Sequence, residues 1–359
     1  MGPEESVLSS ARELDSHGRF SEITELAGVD IPICDQPEMD FYLGKSYFAL
    51  GEFEEAEARL SRSLSALTPG SNLKLYIQAA LYLGACFLRM NDYPESIIRL
   101  NMAASLFETI PENDKDDELL KFGTQIYFYL AQNLRFENNY EEAIRVLFNA
   151  LTLCEKSGDQ ADDRAPILLE IGVNCNLAKK YKQAESLLQA AIELLNDNAE
   201  ENKYLIADLK QQLGLSLLKQ NRVNPAIEAF TNALMVYSES HEAAGENAAD
   251  IASAQFMLGI CYLRQRNHRE ADKYLQQALA VFSNPNLPFD ELKQACAFIK
   301  WVAQDERANI TLTFQATHNN SSFRKLEKVL EAINRFDIEA GACLDKIDEA
   351  YSLEAGRLF

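Results

Sequence analysis

The chain has 359 residues, 47% of them hydrophobic and 25% charged, which is enough apolar material for a large core and too much for a disordered chain. Its formal net charge of -21 argues against nucleic acid and anionic membrane as partners, since both would be repelled at long range; basic segments of other proteins fit better. Cys34, Cys86, Cys154, Cys175, Cys261, Cys296 and Cys343 contain no CxxC pair and read as reduced core thiols, and no apolar run reaches the ~18 residues of a membrane span.

In chain order, residues 1–37 form the first predicted element. Ala11, Leu14, Phe20, Ile23 and Ala27 fall in the register of the units that follow, and Pro32 and Pro37 then break the chain, so this stretch is expected to be a degenerate helix pair that caps the stack. From 38 to 283 one pattern recurs, seen plainly in residues 79–104. A small residue returns as Gly44, Gly84, Ala131, Gly172, Gly214 and Gly259, spaced 40 to 47 residues apart. Twelve residues after each come Ala56, Ser96, Ala143, Ala184, Ala226 and Ala271; sixteen after come Leu60, Leu100, Leu147, Leu188, Phe230 and Leu275. Nineteen after come Ser63, Ala103, Ala150, Ala191, Ala233 and Ala278. Helices cross closely only where side chains are small, so the Gly and Ala positions mark contacts and the Leu and Phe positions fill the space between them. Each unit is therefore two antiparallel helices that cannot bury their apolar face alone and must stack on copies of themselves. Acidic runs at 111–118, 155–163, 196–202 and 238–250 connect the units as solvated linkers along one edge.

Beyond the last unit, Pro285 and Pro288 precede an amphipathic helix over 284–308 that should seal the open end of the core. Residues 309–320 alternate Ile310, Leu312 and Phe314 in strand fashion between loop-forming residues, which reads either as an irregular linker or as a strip docked on the protein's own surface. Residues 321–359 read as one helix or a helical hairpin, packed on the chain or pairing with a second copy through a short, interrupted coiled-coil pattern.

Motifs for chemistry are missing: there is no GxGxxG, P-loop, GxSxG or EF-hand loop. His241-Glu242 opens like a zinc-protease helix, but the second histidine's position is Gly245. His17, His241, His268 and His318 lie far apart, and His268 takes the aromatic turn position occupied by Tyr93, Tyr140 and Tyr181 in other units. No enzyme, no cofactor and no metal site is expected.

The recurring Leu-Gly, turn Tyr, Ala, Leu or Phe, and Ala resembles the tetratricopeptide repeat, in its long-repeat form. The family's first-helix Trp is lacking; its place is taken by Asp40, Ala80, Tyr127, Leu168, Lys210 and Gln255. The resemblance implies an all-α, right-handed superhelical solenoid of about seven helix pairs with C-terminal capping helices. It also implies a concave groove lined by the first helix of each repeat, at positions three before the small residue and one, four and five after it. Those positions give Phe41, Lys45, Phe48 and Ala49; Leu81, Ala85, Leu88 and Arg89; and Phe128, Gln132, Arg135 and Phe136. In later repeats they give Leu169, Val173, Asn176 and Leu177; Gln211, Leu215, Leu218 and Lys219; and Phe256, Ile260, Leu263 and Arg264. The Lys and Asn clamp by which related co-chaperones hold acidic C-terminal tails is not reproduced. Apolar anchors with a sparse row of Lys45, Arg89, Arg135, Lys219 and Arg264 suit an amphipathic helix or extended peptide carrying a few carboxylates. Equally, some of these apolar side chains could pack between neighbouring first helices. The expected function is a cytoplasmic or nuclear protein-binding adaptor; the alternative is a structural subunit whose groove or C-terminal helix is a permanent interface.

Overall fold

In a computed structural model, the structure describes residues 7–30, 32–70, 72–158, 161–239 and 247–282. The expected elements at 284–308, 309–320 and 321–359, together with Cys296, Cys343, His241 and His318, lie outside the described residues. Within them the chain is all-helical, with fourteen α-helices and no strand. These are α1 (Val7–Ser16), α2 (Phe20–Glu25), α3 (Gln36–Ala49), α4 (Phe53–Ala66), α5 (Leu73–Arg89), α6 (Tyr93–Thr109) and α7 (Asp117–Phe136). They continue as α8 (Tyr140–Lys156), α9 (Ala161–Leu177), α10 (Tyr181–Leu194), α11 (Lys203–Lys219), α12 (Val223–Glu239), α13 (Ala248–Arg264) and α14 (His268–Phe282).

The helices fall into two compact units, residues 1–179 and 180 onward. In the first, α1 packs on α2, α3 on α4, α5 on α6 and α7 on α8, and each second helix also packs on the first helix of the next pair, ending with α8 on α9. First helices lie side by side as well, α1 against α3, α3 against α5 and α5 against α7. The second unit repeats the scheme: α11 pairs with α12 and α13 with α14, α10 packs on α11, and α12 packs on α13.

One residue in the left-handed region follows each of α1, α3, α5, α7, α9, α11 and α13. It is Gly18, Gly51, Asn91, Asn138, Lys179, Asn221 and Arg266 in succession, with φ between 58° and 81°. The following N–H then reaches back five residues to satisfy a carbonyl of the finished helix, as in Asp92 N to Phe87 O at 2.8 Å, Asn139 N to Leu134 O at 2.8 Å and Asn267 N to Tyr262 O at 2.9 Å. Glycine and asparagine adopt this conformation at little cost; lysine and arginine do not. Side-chain caps start several helices: the Leu75 N–H donates to Asn72 Oδ1 at 3.1 Å and the Leu119 N–H to Asp116 Oδ1 at 2.8 Å.

The crossing points are those the small residues mark. A methyl group on Gly44 would lie 2.6 Å from Leu60 Cγ, on Gly84 2.7 Å from Leu100 Cγ, on Gly214 2.9 Å from the Phe230 ring and on Gly259 2.7 Å from Leu275. Leu60, Leu100, Phe230 and Leu275 are fully buried, as are Leu147 and Leu188. One polar chain runs through this packing in the first unit. Ser96 Oγ donates to Gly84 O at 2.7 Å, and Asn133 Nδ2 donates to Ser96 Oγ at 2.9 Å, linking α6 to α5 and α7 to α6. None of the described cysteines is in a disulfide, and only Cys34 among them is exposed; burial pushes the Cys86 thiol up to about 12, so it stays a protonated packing group.

Candidate functional site

The first helices present a row of side chains, most fully described in the first unit. Two kinds of residue expected on this row separate once the helices are packed. Leu81 and Ala85 are fully buried, Leu88 is 5% exposed and Phe41 3% exposed, because α3, α5 and α7 stand close enough to interlock their side chains. In the second unit the same holds for Leu215, Leu218, Phe256, Ile260 and Leu263. The expectation of exposed apolar anchors at these positions is corrected: they form the wall between neighbouring first helices. Asn176 and Gln211 are buried too, at 1% and 8% exposure.

The remaining residues keep accessible surface. Phe48 on α3 is half-buried, its ring edge-on to Phe53 and to Tyr82 at centroid distances of 5.7 and 5.8 Å. Phe128 and Gln132 on α7 and Leu169, Val173 and Leu177 on α9 are half-buried, and Ala49, Arg89 and Phe136 are exposed. Phe136 stacks on Tyr93 with ring centroids 4.5 Å apart, and Arg135 lies 5.7 Å from the Phe136 centroid.

Most of the basic residues expected on the row are engaged within the chain. Lys45 Nζ lies 2.8 Å from the Asp15 carboxylate and 5.8 Å from the Tyr82 centroid. Arg135 lies 3.2 Å from the Glu170 carboxylate, which also accepts from Gln132 Nε2 at 3.4 Å. Half-buried Arg264 donates to the Leu218 carbonyl at 2.8 Å, and Lys219 is engaged within the chain as well. Asp15 and Glu170 come from adjacent repeats, so these pairs brace repeat against repeat.

A third set of residues on this face escaped the sequence reading. Tyr42, Tyr82 and Tyr129 stand two residues before Gly44, Gly84 and Ala131, in one register on three successive first helices. Burial pushes the Tyr42 hydroxyl up to about 12, helped by the charges of Glu38 and Asp15, and holds that of Tyr82 above the usual phenol range. Burial also raises Tyr129, while the nearby Arg89 charge draws it back down. All three hydroxyls are therefore protonated donors at neutral pH. Their recurrence in register was visible in the sequence and was the signal to use.

Among the described residues no three or more His, Cys, Asp or Glu side chains are grouped to hold a metal ion, and no helix is long and apolar enough to cross a membrane. The arrangement offers aromatic faces, hydroxyl and amide donors, and a guanidinium on a wall of interlocked apolar side chains. Such a surface can hold a chain segment.

The tetratricopeptide repeat family model matches residues 35–109, 124–197 and 205–284, well over half of the chain. This chain belongs to the tetratricopeptide repeat family. A kinesin light chain-related protein 3 of Arabidopsis thaliana is 23% identical over 203 residues, 56% of this chain but only 31% of that relative, so the chain spans about a third of its length. Among solved structures, a signal transduction ATPase with a tetratricopeptide repeat sensor from Pyrococcus horikoshii matches 96% of the chain with 48% of its own, at a TM-score of 0.62 and 15% identity. A Rap protein complexed with Competence and Sporulation Factor matches 96% of this chain with 98% of its own, at a TM-score of 0.57 and 14% identity. At such identities these two structures show the fold, an α-solenoid of tetratricopeptide repeats.

Proposed function

We propose that this chain is a non-catalytic adaptor that holds a segment of a partner protein, as an extended peptide or an amphipathic helix, against its first-helix face. The observation that carries the reading is the half-buried band of Phe48, Tyr82, Tyr129, Phe128 and Gln132 across three successive first helices. A band of rigid aromatic rings with protonated hydroxyls gives large contact area at low entropy cost, with donors free to meet backbone carbonyls of a ligand. Support also comes from a protein of the same fold having been captured in complex with a factor, the Rap protein with Competence and Sporulation Factor. The reading requires no metal or cofactor and is consistent with a cytoplasmic or nuclear site of action.

The test is selection of a displayed library of 16-residue peptides on the intact chain, followed by titration of the selected peptides on Phe48→Glu and Ala49→Trp variants with unchanged helicity and melting. Binding weakened by both supports the face as the site; peptides that bind wild type and both variants equally refute it. Leu88 is unsuitable for this purpose, since at 5% exposure a charge there would disrupt the wall itself.

A further inference from the structure

Three cations on the first helices of the first unit are each matched by a carboxylate. Arg12 on α1 pairs with Glu38 on α3 at 2.7 Å, Lys45 on α3 with Asp15 on α1 at 2.8 Å, and Arg135 on α7 with Glu170 on α9 at 3.2 Å. In each case a carboxylate from the adjacent first helix neutralises the cation. Arg89, on α5 between them, is exposed and has no carboxylate partner among the described residues. In the register where α9 supplies Glu170 to Arg135, two residues before the small residue, α7 presents Tyr129. Arg89 thus stands as an uncompensated cation on this face, in a chain whose overall charge is -21.

An uncompensated guanidinium beside a neutral tyrosine hydroxyl is a surface for one anion. Arginine presents several donors in a fixed plane that matches a carboxylate, and a tyrosine hydroxyl can add a further bond to the same oxygens. Arg89 acts electrostatically on the Tyr129 hydroxyl, which places the two groups in one neighbourhood. The paired cations, Lys45 and Arg135, would have to break an internal ion pair to take a ligand carboxylate and gain little from the exchange.

Building on the reading of the face as a peptide site, we infer that the bound segment carries one Asp or Glu side chain that docks on Arg89, with Tyr129 alongside, flanked by apolar side chains. The row of basic residues read from the sequence thereby reduces to one contact that sets the register of the ligand.

The experiment repeats the 16-residue peptide selection on wild type, Arg89→Gln, Arg89→Glu and Arg135→Gln. Wild type and Arg135→Gln are expected to select an acidic residue at one fixed distance from an apolar anchor. Arg89→Gln should lose that preference, and Arg89→Glu should replace it with Lys or Arg. For a wild-type-selected peptide, changing the acid to its amide should weaken binding to wild type about tenfold and to Arg89→Gln hardly at all. The inference is overturned if wild type shows no fixed acidic position, or if the preference survives in Arg89→Gln. Peptides insensitive to Phe48→Glu and Ala49→Trp would instead show that the face is not the site, and both readings would fall together.

Discussion

Replacing Gly84 with alanine adds one methyl group at a close approach in the α5/α6 crossing. The methyl would sit 2.7 Å from Leu100 Cγ, 3.0 Å from Leu100 Cδ2 and 3.3 Å from the Leu100 backbone nitrogen. Overpacking of this kind costs about 1–3 kcal/mol, and the better helix propensity of alanine returns about 1 kcal/mol, so the single change should destabilise by about 1 kcal/mol. Leu100 is fully buried, and Leu100→Ala should cost about 2–5 kcal/mol. In the Leu100→Ala background the side-chain clash is gone, only the 3.3 Å contact with the backbone nitrogen remains, and the added methyl occupies part of the cavity, so Gly84→Ala should become neutral or stabilising there. The pair would then be coupled by about 1–2 kcal/mol, with the double variant more stable than the sum of the singles implies. Urea denaturation followed by circular dichroism measures all four corners of the cycle. Additive losses would mean that the two helices do not cross at this point, and the packing account of the repeat would be wrong.

Arg266 holds a φ of 58° in the turn before α14, so Arg266→Gly should raise stability by about 0.5–1 kcal/mol, read as a higher midpoint in a thermal melt. Ser96→Ala removes the donor to Gly84 O and the acceptor of Asn133 Nδ2, and should cost about 1–2 kcal/mol by urea denaturation. Tyr237 donates to Asp208 Oδ1 at 2.6 Å, and burial raises the Asp208 carboxyl above the usual carboxylate value. The folded protein therefore binds that proton more tightly than the unfolded chain does, so this group favours folding at low pH and its contribution is lost as pH rises past the raised value. Asp208→Asn keeps an acceptor for Tyr237 without the buried charge; melting temperatures should show it more stable than wild type at pH 7, with the difference vanishing in acid.

The fold was legible because its determinants are local and repeated. The small residue at Gly44 and its successors, and Leu60 and its successors sixteen residues on, meet as the spacing requires. The turns were legible only in part: Asn91, Asn138 and Asn221 suit the left-handed conformation they hold, whereas Lys179 and Arg266 adopt it against their own preference. The face was legible only in part. Sequence spacing places Leu81 and Phe128 on the same stripe, but it does not say how closely α5 approaches its neighbours. That distance makes Leu81 fully buried and leaves Phe128 half-buried. Ion pairing was hidden for the same reason: Lys45 and Asp15, or Arg135 and Glu170, lie far apart in sequence and meet only when first helices align.

The central claim, that a partner segment lies on the first-helix face, is tested most directly by site-specific photocrosslinking in cell extract. A photoreactive phenylalanine analogue would replace half-buried Gln132 on the face of α7, and in a second protein exposed Ser105 on the opposite layer, on α6. The account predicts a discrete crosslinked protein from position 132, suppressed by excess of a selected peptide, and none from position 105. A partner captured from 105, with 132 silent, would contradict it.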